Sequence, residues 1–120
     1  MGGGGGGGAF RGTKGASIQI SDATMYQDGK HFNKHGRDMG YASKKEYDAA
    51  AKEFARANLK NPDAQIYEGK WNGGGNQHLE EQIAIMYDGK TVIINKQTGQ
   101  IIDFYEGNEC RGLIELKRIR

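Results

Sequence analysis

Residues 80–107 read EEQIAIMYDGKTVIINKQTGQIIDFYEG, three runs rich in β-branched and aromatic residues separated by two short polar breaks. In the first break Asp88 and Gly89 both tolerate the positive φ of a type I′ turn, which predicts a tight hairpin between EEQIAIMY and KTVIINK. KQTGQ makes the next turn, into QIIDFYEG. Successive hairpins make antiparallel neighbours, so this stretch predicts a meander. Two further alternating runs flank it, AQIYEGKW (64–71) before and GLIELKRI (112–119) after. The glycine-rich NGGGN (72–76) forms the loop between the first two strands.

Upstream of the sheet the period changes. SKKEYDAAAKEFARANLKN (43–61) opens with Ser43 followed three residues later by Glu46, a capping-box signature. Tyr47, Ala50, Ala51 and Phe54 recur at helical spacing as one apolar stripe, while Lys44, Lys45, Lys52, Glu53 and Arg56 take the other sides. Asn61-Pro62 ends the helix, because proline disfavours the α conformation of the residue before it and has no N–H to donate. The expected class is α+β, with amino-terminal helices packed on one face of a four- or five-stranded antiparallel sheet.

The chain has 120 residues, 36% hydrophobic and 27% charged, enough for one modest core. Residues 1–20 are expected to be a glycine-rich tether and residues 21–120 a single domain; Ile18 and Ile20 alternate with polar residues, as in a short strand or an extended arm. A net charge of +2 does not announce a nucleic-acid binder, so any basic surface must come from local clustering. One cysteine, Cys110, allows no internal disulfide. No apolar run approaches ~20 residues and the amino terminus lacks the order of a secretory signal, so membrane insertion by this domain is not expected and export would need a carrier.

The chemistry concentrates in GKHFNKHGRDMGY (29–41), where His31 and His35 lie four apart, each preceded by a lysine, Lys30 and Lys34. On a helix the histidines share a face, a spacing that seats a metal, but zinc needs a third ligand and His78 lies beside a glycine loop with no supporting pattern. No metal and no cofactor is therefore expected. A second reading needs neither. Cleaving RNA without a metal requires a base for the 2′-hydroxyl proton, cations for the phosphorane oxygens and an acid for the leaving 5′-oxygen, and lysine and histidine fill all three roles. The plain alternative for the same residues is a solvated basic helix.

KHGRDMG (34–40), followed by the capped helix and then by GKW and TVIINKQTGQIIDFY, resembles the nuclease domain of colicin D. The order of parts agrees with that family over residues 30–106. The local pattern is a Lys-His pair, two residues, Asp, an apolar or aromatic residue and Gly, here Lys34, His35, Gly36, Arg37, Asp38, Met39 and Gly40. The wider class is the small ribonuclease folds with helices on an antiparallel sheet, barnase and colicins E5 and D among them, found at the tips of contact-dependent growth inhibition toxins. The resemblance implies a metal-independent tRNA endonuclease that cleaves by transesterification in interbacterial competition. It implies secretion or delivery within a larger toxin, action in the target cytoplasm, and a cognate immunity protein. A translation elongation factor of the target cell is a further implied partner. His35 would be general base or acid and Lys34 would stabilise the scissile phosphate; His31 has no counterpart there but is a natural second acid/base partner. Where the family carries a serine and an aromatic on a late strand, this chain has Asp103 and Tyr105; the serine match fails, and an unpaired Asp103 would repel phosphate.

Other expected substrate contacts are Lys30, Lys70, Trp71, Thr91 and Tyr105. Trp71 and Tyr67 beside Lys70 suit a stacked, unpaired base with the lysine on phosphate, against simple core packing. Thr91 stands where such folds direct a hydroxyl to the cleft; its competing role is cross-strand packing. The basic carboxyl end, RGLIELKRIR, suits an RNA backbone or a charge-protected edge strand. The alternative function is a non-catalytic RNA- or protein-binding module. An immunity protein is disfavoured by the basic balance, and a metal-dependent DNase by the sparse acidic and histidine clustering.

Overall fold

The computed structural model of the protein describes residues 18–120, so most of the expected glycine tether lies outside the described residues. Helix α1 (Asp28–His31) runs directly into a π-helical turn over Phe32–Gly36, and α2 covers Lys44–Leu59. Five strands follow: β1 (Gln65–Trp71), β2 (Glu81–Tyr87), β3 (Lys90–Asn95), β4 (Ile101–Glu106) and β5 (Leu113–Arg118). They form one antiparallel sheet in the order β4-β3-β2-β1-β5, so β1 to β4 make the meander and β5 returns beside β1. The α+β architecture expected above is what the chain adopts.

Local chemistry explains each boundary. Ser43 Oγ accepts from the Glu46 amide at 3.2 Å, as the capping signature requires. Tyr47, Ala51, Ala55 and Leu59 are buried along one side of α2, with Ala50 and Phe54 packed at its margin. The Arg120 guanidinium donates to the carbonyls of Asn58, Leu59 and Asn61, which satisfies groups left open at the helix C-terminus. Between β2 and β3, Asp88 and Gly89 have φ of 51° and 74°, the left-handed pair a type I′ turn demands.

The sheet packs on both sides. One face carries Ile66, Ile83, Ile85, Val92, Ile94, Ile101 and Phe104 against α2. The other carries Ala84, Ile93, Ile102, Tyr105 and Leu113, with Tyr26, Tyr67, Trp71 and Cys110 against them. The β4 edge is sealed: the Tyr26 amide donates to Ile101 O at 2.9 Å and the buried Tyr47 hydroxyl donates to Phe104 O. The segment before α1 is an extended arm whose Ile18 and Ile20 pack against the core and whose Ser21 amide donates to Gly99 O, so ordered packing begins ahead of residue 21.

One connection shapes the second face. Glu106 ends β4 opposite Lys90, whereas Leu113 starts β5 opposite Trp71, at the other end and the other edge of the sheet. In a flat sheet these points would be roughly 30 Å apart, from strand spacings of ~4.8 Å and rises of ~3.3 Å. Seven extended residue steps reach only ~23–25 Å. The connector over residues 107–112 therefore requires a curled sheet, in the sense that strand twist already favours. The curl makes the second face concave.

Candidate active site

The concave face holds a cleft of about 410 Å³ whose lining includes Lys30, His31, Lys34, Trp71, Asp103, Tyr105 and Arg111. A smaller adjoining recess of about 320 Å³ includes Lys34, His35, Asp38 and Arg111. Lys34 and Arg111 belong to both, so two cations stand where the recesses meet.

Two irregularities aim the side chains. The π turn closes through the Arg37 amide to Phe32 O at 3.1 Å, and it lies across the β4 edge with Phe32 in the helix-side core. From the same turn His35 reaches the concave side, where its ring centroid is 5.5 Å from that of Tyr105. In β4, Ile93 pairs with Asp103 and Ile94 with Ile101, which leaves Ile102 as an extra residue. This bulge turns Ile102, Asp103 and Tyr105 all toward the cleft, whereas strict alternation would separate Ile102 from the other two. The Phe104 amide donates back to Asp103 Oδ1 at 2.8 Å and steadies the carboxylate.

The result is a carboxylate–imidazole pair: His35 Nε2 is 3.7 Å from Asp103 Oδ2, with the side chains 10% and 22% exposed. The distance is too long for a formed hydrogen bond, and the contact is an ion pair only when His35 is protonated. Burial holds the His35 pKa below its ordinary value; Asp103 pulls it up, and Lys34, Arg111 and His31 push it down. Near neutral pH the imidazole is therefore mainly uncharged, the form a general base needs. The acidic residue that would repel phosphate alone faces His35 and shares the cleft with the Lys34 and Arg111 cations. His31 Nδ1 lies 2.9 Å from Tyr26 O, and because a carbonyl only accepts, Nδ1 is the donor there and Nε2 is the nitrogen not committed to this bond.

Tyr105 lines the cleft with its ring, but its hydroxyl is committed: it donates to Glu109 O at 2.5 Å and accepts from the Arg111 amide at 3.2 Å. Burial raises its pKa well above the usual range for tyrosine, so it serves as a wall and not as an acid. The Arg111 guanidinium lies 4.7 Å from the centre of that ring and its Nε donates to Glu109. Trp71 is fixed by donation of its Nε1 hydrogen to Gly74 O at 3.1 Å. Its ring is seated so closely that a Cβ at Gly73 or Gly112 would come within 2.2 or 2.1 Å of it. Burial also raises the Cys110 thiol, which disfavours the thiolate.

Of the residues anticipated from sequence, His31, Lys30, Lys34, Trp71 and Tyr105 line the larger cleft, and His35 lines the smaller and faces Asp103. Lys70 and Thr91 do not join them. Alternation along β1 puts Lys70 on the face opposite Trp71, where it pairs with Glu115 at 3.5 Å. Thr91 is fully buried beneath the connector, its hydroxyl donating to Gly107 O at 2.5 Å. At the carboxyl end Arg120 caps α2 and Arg118 lies 6.0 Å from the Tyr67 ring centre. Gln82, Gln77 and Tyr26 join the cleft without any local sequence signal, and for Arg111, on sequence simply part of the basic carboxyl end, the one local signal is an arginine beside a glycine just ahead of the last strand. Among the described residues no group of three or more His, Cys, Asp or Glu side chains is arranged to hold a metal ion, and no helix is long and apolar enough to cross a membrane.

No family model matches this chain, and no curated protein or solved structure matches it either.

Proposed function

We propose that the protein is a metal-independent endoribonuclease that cleaves RNA by transesterification, with tRNA as its substrate. The observation that carries the reading is His35, kept largely neutral beside Asp103 and bordered by Lys34 and Arg111 at the junction of two recesses. In this reaction His35 takes the proton from a ribose 2′-hydroxyl. The 2′-oxygen then bonds to phosphorus and the bond from phosphorus to the 5′-oxygen breaks, leaving a 2′,3′-cyclic phosphate. His31 returns a proton to the departing 5′-oxygen. Lys34 and Arg111 balance the charge on the phosphorane oxygens, the term that is usually largest in such catalysis. Asp103 acts through His35, as a positioning residue that favours the imidazolium once the proton has been taken. The tRNA preference, delivery as part of a toxin and control by an immunity protein belong to the same proposal and rest on the resemblance of residues 30–106.

The test is incubation with total bacterial tRNA in EDTA, with products resolved on a denaturing gel. Wild type is expected to give discrete fragments ending in cyclic phosphate, and His35→Ala to be slower by roughly 10²–10⁴-fold. Intact tRNA with both proteins, even after addition of cell extract, would sink the nuclease reading and leave a binding module.

A further inference from the structure

The inner part of the larger cleft contains a hydrogen-bond acceptor that the protein itself leaves unused. Gln82 is fully buried, lines the cleft, and its Oε1 has no partner among the described residues. A relay of bonds sets which end of this amide is free. The amides of Gln97 and Thr98, in the turn after β3, both donate to Asn95 Oδ1 at 2.9 Å. Asn95 must then present Nδ2, which donates to Gln77 Oε1 at 3.1 Å. Gln77 Oε1 also receives Gln82 Nε2 at 3.4 Å, so Gln82 is a donor there and its oxygen points elsewhere. Buried acceptors are seldom left unpaired, and one in a cleft wall marks a place where a ligand donor belongs.

The surroundings restrict that ligand. Trp71 and Tyr26 supply aromatic walls, and Gly74 and Gly75 bring backbone close without side chains. Lys30, Lys34 and Arg111 line the cleft with Asp103 as its one carboxylate, so cationic side chains outnumber anionic ones there. A flat ring with an N–H on its edge, joined to an anionic group, satisfies all of these at once. The geometry points to a nucleobase subsite: the cleft takes the base of one RNA nucleotide, Gln82 Oε1 accepts from an N–H on the base edge, and Trp71 and Tyr26 flank the ring. The location of the scissile phosphate beside this subsite rests on the nuclease reading; the capture of a base does not.

Trp71 is the chain's single tryptophan and therefore reports directly on this cleft. The four nucleoside 3′-monophosphates and the four 5′-monophosphates are titrated in EDTA against inorganic phosphate while its fluorescence is followed. At least one nucleotide should saturate the signal with affinity tenfold or more above that of phosphate, and Gln82→Leu, which keeps the volume and removes the acceptor, should weaken it by tenfold or more. Should Gln82→Leu fail to fold, Gln77→Ala, at a half-buried position, frees the amide from its anchor and should weaken binding at least threefold. Nucleotides that bind no better than phosphate, or variants with unchanged affinity, overturn the subsite. The tRNA assay on the same proteins separates the two ideas. Cleavage without nucleotide binding removes the subsite alone, whereas Gln82-dependent nucleotide binding without cleavage removes the nuclease reading and leaves the subsite.

Discussion

Replacing Asp103 by Asn removes the charge facing His35 while keeping the size of the side chain. At 3.7 Å the attraction between the carboxylate and an imidazolium is about 1 kcal/mol in bulk water and about 4 kcal/mol at an effective dielectric of 20. Exposures of 10% and 22% place the pair between these limits. Taking the lower figure as a floor, loss of the charge should weaken proton binding by His35 roughly fivefold or more. The assay is an NMR titration of the His35 ring protons, with His31→Gln as the background that removes overlap. In wild type the midpoint should lie below 6.5, because burial and the neighbouring cations outweigh Asp103. Asp103→Asn should move it further down, and Lys34→Gln should move it up. A midpoint that rises or stays put in Asp103→Asn would refute the pairing. The same displacement acts on stability. As pH falls through 6.5 the unfolded chain takes up this proton before the folded one does, so stability declines until the folded midpoint is reached and is level below it. His35→Gln should abolish that slope.

Other expectations concern the frame around the site. Thr91→Val leaves the buried Gly107 carbonyl without its donor and should cost about 1–3 kcal/mol in urea unfolding, with nucleotide binding unchanged, since the hydroxyl does not face the cleft. Arg120→Ala removes three bonds to the end of α2 and should cost about 2 kcal/mol by the same measurement, while tRNA cleavage by the folded fraction is retained. Gly112 has φ of 74° and lies against Trp71, so Gly112→Ala should shift the Trp71 emission maximum and weaken nucleotide binding; an unchanged spectrum would show that the ring is not seated there.

The sheet was readable because period-two alternation and an Asp-Gly turn are local signals, and the same holds for α2, whose stripe and cap lie within one stretch. The motif singles out His35, which the structure sets opposite Asp103. Asp103 was harder, since strict alternation in QIIDFY groups Ile101 with Asp103, whereas the bulge at Ile102 sends Ile101 to the helix side and Asp103 to the cleft. Lys70 lies away from the cleft for the opposite reason: neighbours in sequence on a strand face apart, so adjacency to Trp71 does not make them partners. Gln82 gave no signal, because its meaning depends on a relay through Asn95 and Gln77 that exists only in three dimensions.

The six-residue connector between β4 and β5 spans a distance that leaves it little slack, and it also carries Arg111. Its length is thus a setting for the mouth of the cleft. Residues added there would let the sheet open and carry the guanidinium away from His35, while residues removed would tighten the curl and crowd Trp71. A change far from any reacting atom, counted only in backbone units, would in this way alter both which ligands enter and how much positive charge meets them.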